Sequence, residues 1–126
     1  MRMNQENPPP NPPSENDKKL NEYLLLLPDH ASPTTLPTRL RHHASHLAHN
    51  RPHIDAHRIT FGGPMLSSHT YTADDRLGQQ NIIGSIHLGR AAGEAEVWVM
   101  VAADPYATLG VWDLGAVEVV PMRVLV

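Results

Sequence analysis

The run Tyr23-Leu24-Leu25-Leu26-Leu27, closed by Pro28 and Asp29, is the feature that most constrains the fold. A short continuous apolar stretch bounded by a turn signal reads as a strand buried on both faces. The chain is therefore expected to organise around a sheet. What precedes that strand is different in kind: MRMNQENPPPNPPSENDKK is almost wholly polar and Pro-rich, so residues 1–19 are expected to be a disordered tail that buries too little apolar surface to offset its ordering entropy. Residues 20–126 then form one domain, long enough for one modest core.

Beyond the first strand, SPTTLPTRLRHHASHLAHN and the residues after it carry Leu36, Leu40, Leu47 and Ile54 within roughly 40° of one another on a helical projection. A helix opening near Ser32 with these residues as its apolar face is expected, ended or kinked by Pro52 near residues 49–51. His42, His46, His49 and His53 form a second stripe centred about 110° away. His43 and then His46 lie nearest the apolar face, while His42 and His49 are expected to face water.

Next, HRITFGGPM alternates from His57 to Phe61 as a second strand, with Gly62-Gly63-Pro64 as the following turn. The polar segment SSHTYTADDRLGQQ connects to a third strand over 81–89, and AVEVVPMRVLV supplies a fourth, where Pro121 implies an edge or a bulge. GEAEVWVMVAAD, residues 93–104, stays open between strand and helix: its valines favour a strand, which leaves a five-strand mixed sheet with one helix, while a helix completes β-α-β-β-α-β.

Charge and cysteine content narrow the chemistry. Ten Lys and Arg against thirteen Asp and Glu leave a net charge of −3 with no basic block, so a grip on nucleic acid or anionic membrane is not expected. The absence of Cys removes disulfides, thiolate nucleophiles and Cys-based zinc sites, as suits a reducing, cytoplasmic setting. The longest apolar run, VWVMVAA, is far short of a membrane span. Histidines at i and i+4 can chelate a metal, but HHASHLAH has no carboxylate between its ligands, so a solvated histidine face is expected, with no metal and no cofactor.

The stretch VAADPYATLGV holds the sharpest candidate. Asp104 is a good N-cap, and Pro105 suits the first helical position, where its missing N–H costs nothing. A carboxylate there also has acceptor capacity for a second partner such as an imidazole.

From Tyr23 to the C-terminus the chain resembles the YciI-like, or YCII-related, family. The resemblance rests on EYLLLLPD, His46-Leu47, GGPM at 62–65, Gly84-Ser85 and ADPYATLGV at 103–111, in that order and at the family's separations. It implies an α+β fold, a ferredoxin-like β-α-β-β-α-β antiparallel sheet that pairs with a second subunit as a dimeric α/β barrel. It therefore implies a homodimer, and it makes residues 93–103 a helix.

The resemblance also implies that His46 and Asp104 meet in a cleft as a His/Asp pair. A carboxylate on one imidazole nitrogen fixes the tautomer and leaves the other nitrogen free as base or acid near neutral pH. Tyr106, Ser85, Gly63 and His43 are the further candidates to line that cleft: Tyr106 by its hydroxyl or by packing, Gly63 by allowing a tight turn or close ligand approach. Members often carry an Arg three residues before the helical His; here His43 stands there and Arg41 two residues earlier. Trp98 and Trp112 are expected in core or dimer packing. With no evident Ser or Cys nucleophile, the implied chemistry is proton transfer on a small cyclic or enolisable molecule, an elimination or isomerisation such as dehydrochlorination of a hydroxylated ring. The alternative is a non-catalytic dimeric module that binds or senses a metabolite.

Overall fold

Along Asn21–Pro28 (β1), Tyr23, Leu25 and Leu27 turn to one side and are buried, while Leu24 and Leu26 turn to the other and are only half-buried. The computed structural model describes residues 19–126. The expected tail lies outside the described residues, apart from Lys19. A strand buried on both faces was the reading of the unbroken apolar run; within the single chain, one face of β1 is covered and the other is open. Alternation of side chains across the pleat makes that difference visible only once a layer lies on one side.

The remaining elements are Thr35–Arg41 (α1), His43–Asp55 (α2), Ile59–Leu66 (β2), Ile82–Ala91 (β3), Glu94–Ala103 (α3), Pro105–Thr108 (α4) and Glu118–Met122 (β4). The sheet runs β2-β3-β1-β4, with every neighbouring pair antiparallel. This is the ferredoxin-like α+β arrangement, with the first helix in two pieces and the short α4 added after α3. Residues 93–103 are helical but for the cap Gly93, and Val97 and Val101 join the core with Tyr23, Leu25, Leu27 and Ala91. Burial of one valine face against the sheet outweighs the valines' preference for strands. Pro121 sits on β4, an edge strand, opposite Tyr23.

Three local expectations are corrected. The helix breaks at His42 rather than at Pro52, which lies within α2. Gly62-Gly63-Pro64 is not a turn: it lies inside β2, paired with His87, Ile86 and Ser85 of β3. Two glycines and a proline are tolerated there because β2 is an edge strand, irregular in register at both ends. Finally, Leu40, Leu47 and Ile54 are exposed rather than packed in the core, and the buried residues of α1 and α2 are Thr35, Arg39, His46 and Asn50. The polar stripe turns inward because its partners, Asp29, Ser85 and Asp104, are themselves buried or nearly so and would otherwise be left unpaired.

Candidate functional site

The polar stripe of the first two helices meets the end of α3 and the middle of β3 at one place. Asp104 ends α3 and caps α4: its Oδ1 accepts from the backbone N–H of Tyr106 at 2.8 Å, with Pro105 opening the helix. The same oxygen lies 2.9 Å from His46 Nδ1, and Oδ2 accepts from Asn50 Nδ2 at 3.0 Å. Cap and imidazole partner are thus one carboxylate, 1 % exposed.

Burial would by itself raise the Asp104 pKa, but the hydrogen bond and charge of His46, the Tyr106 N–H and the Asn50 amide outweigh it and hold the group below its ordinary value. An ionised carboxylate only accepts, so the proton between the two groups sits on His46 Nδ1. The imidazole is fixed on its face as well, because the Tyr106 ring stacks on it at 4.0 Å between centroids.

Arg39 forms the second half of the site. Its Nε and Nη2 donate to Asp29 Oδ2 and Oδ1 at 2.8 and 2.7 Å, and Nη2 also donates to Ser85 Oγ at 2.8 Å. Trp112 Nε1 donates to the same Ser85 Oγ at 3.2 Å. With both lone pairs taken, the Ser85 hydroxyl proton is left to donate elsewhere. The guanidinium lies 4.6 Å from the centre of the Tyr106 ring. Tyr106 Oη donates to the Arg39 carbonyl at 3.2 Å and is 3.3 Å from His43 Nδ1.

A cleft of about 350 Å³ opens on these groups. His43, His46, Ser85, Tyr106 and Gly63 all line it, so the structure brings the sequence candidates to one place, with Asp104 behind His46. Its other walls include Leu47, Ile54, Ile59 and Phe61, which make it largely apolar. A second hollow of about 320 Å³ lies across Arg39, His43 and Tyr106, between them and Leu77.

Several placements differ from expectation. His43 is exposed and His46 buried, reversing their order, and His49 is half-buried with Nε2 sealed and unpartnered rather than in water. Gly63 needs no missing side chain, since a Cβ there would meet nothing within 4 Å; the tight approach belongs to Gly62, whose Cβ would stand 2.7 Å from His87 Cδ2. Among the described residues no three or more His, Asp or Glu side chains gather as a metal site. Trp112 is fully buried against His46, and Trp98 packs at the edge of the core.

Arg39, Asn50 and His87 were missed. Arg39 and Asn50 lie seven residues before and four after His46, on its own helical stripe, but the leucine stripe hid that signal. His87 shares a strand face with Ser85 two residues earlier.

The YCII-related domain model matches residues 22–123. The derivative-of-benzaldehyde biosynthesis cluster protein C of Emericella nidulans is 38% identical over 92 residues, covering 73% of this chain and 89% of that protein. A xenovulene A biosynthesis cluster protein from Sarocladium schorii is 34% identical, covering 79% and 84%. Among solved structures, the 5-chloro-2-hydroxyhydroquinone dehydrochlorinase of Burkholderia phenoliruptrix, in complex with 2,5-dihydroxybenzoquinone, superposes with a TM-score of 0.61 at 27% identity, covering 82% of this chain and 93% of that one. Among the described residues no helix is long and apolar enough to cross a membrane.

Proposed function

As the chain belongs to the YCII-related domain family, we propose that it is a small-molecule enzyme in which His46, oriented by Asp104, moves protons on a hydroxylated or enolisable ring. The observation that supports this most is the 2.9 Å contact between His46 Nδ1 and Asp104 Oδ1 at the wall of an apolar cleft. The relatives' names, which concern biosynthesis clusters and a dehydrochlorinase, agree with a ring-shaped organic substrate.

His46 Nε2 takes a proton from a ring hydroxyl, and the electron pair moves into the ring. Asp104 stabilises the imidazolium so formed. The proton returns to a neighbouring ring carbon, which is an isomerisation. If that carbon bears chlorine, loss of the proton from a hydroxyl conjugated with that carbon forms a second carbonyl as chloride leaves; HCl is eliminated and no outside oxidant is needed. Arg39 Nη1, which has no partner among the described residues, and the Ser85 hydroxyl proton stabilise the developing oxyanion. His43 and Tyr106 close the rim of the cleft, and Gly63 contributes backbone to its wall.

We also infer a homodimer, formed on the open sheet face where Phe61, Val120 and Met122 are exposed beside the half-buried Leu24 and Leu26. A reducing, cytoplasmic setting fits a chain without cysteine.

Turnover of a panel of chlorinated and unchlorinated hydroxyhydroquinones by the wild-type and His46→Ala proteins tests the reading. A fall in kcat of about 10²- to 10⁴-fold is expected. Unchanged turnover would remove His46 from the chemistry, and binding without any turnover in either protein would favour the metabolite-binding module.

A further inference from the structure

His87 is 6 % exposed, yet neither of its ring nitrogens has a hydrogen-bond partner among the described residues. Buried polar groups are nearly always paired, and leaving one unpaired is unfavourable, so a structural role predicts a partner or an apolar residue at this position. The sealed, unpartnered side-chain atom among the described residues is His49 Nε2, not an atom of His87. The His87 nitrogens therefore keep open space beside them, and the space this residue lines is the cleft.

The surroundings are shaped to this imidazole. Gly62 of β2 lies opposite it in register, and a Cβ there would come within 2.7 Å of His87 Cδ2 and 3.2 Å of the Ile86 carbonyl. Trp112 meets the ring edge-on at 5.9 Å. Burial, with the nearby His46 and Arg39, lowers the His87 pKa to about 4, although Asp104 acts in the other direction. At neutral pH the ring is uncharged and offers one donor and one acceptor. Its centroid is 5.7 Å from that of His46, with a tilt of 30° between the rings. Both imidazoles line the same cleft, so one small ring seated there meets both.

We propose that His87 is a substrate-binding residue that hydrogen-bonds a second ring oxygen, remote from the one His46 deprotonates, and so selects dioxygenated rings over rings with a single oxygen. The assignment rests on the acid–base reading of the cleft only for the identity of the first oxygen. Ile59 supplies apolar contact for the ring itself, and it lines the cleft with His87. A ring without the second oxygen leaves the buried imidazole unpaired and is rejected on that account.

Hydroquinone and phenol differ by that one oxygen and serve as probes. In chemical-shift titrations of the full chain, hydroquinone is expected to bind about tenfold tighter than phenol, the worth of one hydrogen bond. His87→Leu should bring the ratio close to one by weakening hydroquinone alone, and His87→Gln should restore part of it. The wild-type protein gives an independent readout if the variants fold poorly: the ¹⁵N shift of one His87 ring nitrogen should move on adding hydroquinone and stay still on adding phenol. Equal affinity for the two probes, including no detectable binding of either, overturns the proposal. So does hydroquinone binding that moves His46 signals while His87 stays unchanged. Failure of the acid–base reading looks different, because turnover unaffected by His46→Ala leaves the hydroquinone-to-phenol ratio intact.

Discussion

Helices cover the same face of one sheet by opposite means. α3 lays Val97 and Val101 on Tyr23, Leu25 and Leu27, and its contacts are apolar and non-directional. α1 and α2 lay Arg39, His46 and Asn50 on Asp29, Ser85 and Asp104, and their contacts are directional hydrogen bonds, with Leu40 and Leu47 left facing outward. An apolar layer tolerates small shifts. A network of charged and polar groups fixes atoms to within a few tenths of an ångström, which is what proton transfer at His46 requires. The cleft opens on α1 and α2 and not on α3.

Breaking the polar side should have the largest effect. Arg39→Met leaves Asp29 buried without its cation, and unfolding by urea should show a loss of about 3–5 kcal/mol. A loss below about 1 kcal/mol would mean that the pair contributes little and that the comparison is overdrawn. Next comes acid. His87 is held neutral in the folded protein down to about pH 4, while the unfolded chain takes up its proton near 6.5. The depressed folded pKa places the stabilisation above 6.5 and its loss between 6.5 and 4, on the order of 3 kcal/mol. Asp104, also depressed, extends the loss to lower pH. Melting temperature against pH should fall steeply through that window, and His87→Gln should flatten it.

On the apolar side, Val97→Ala should cost about 2 kcal/mol by removing buried methyls, with kcat unchanged. A matching drop in kcat would show that α3 positions Asp104 more tightly than its packing implies. The smallest effect belongs to the outward leucines. Leu47→Ser, at a residue 43% exposed, should change stability by no more than about 0.5 kcal/mol in the single chain. A loss that grows with protein concentration would show a second copy covering this face.

The Asp-Pro-Tyr segment was legible because capping is local: the carboxylate, the proline and the N–H it satisfies span three residues. The strands over 21–28 and 82–91 were legible from apolar runs and alternation. By contrast, α3 was legible only through family resemblance, because its valines read locally as strand. The helical stripes were visible as spacing, but the inward stripe was misassigned. Hydrophobicity alone puts leucines inside, and it does not register that Asp29 and Ser85 wait on the sheet side and Asp104 at the end of α3. Pro52 was read as a helix end or kink and sits within α2, where the helix continues.

By itself, then, the sequence determined the strands over 21–28 and 82–91 and the capping carboxylate at Asp104, since each depends on backbone preferences and neighbours a few residues apart. Only the tertiary structure decided which helical face turned inward, that Gly62 rather than Gly63 makes room beside β3, and that His87 stands unpaired in the cleft. Those outcomes depend on groups far apart in the chain, such as His46 with Asp104 and Arg39 with Ser85, whose pairing free energy exists only once the sheet has brought them within hydrogen-bond distance.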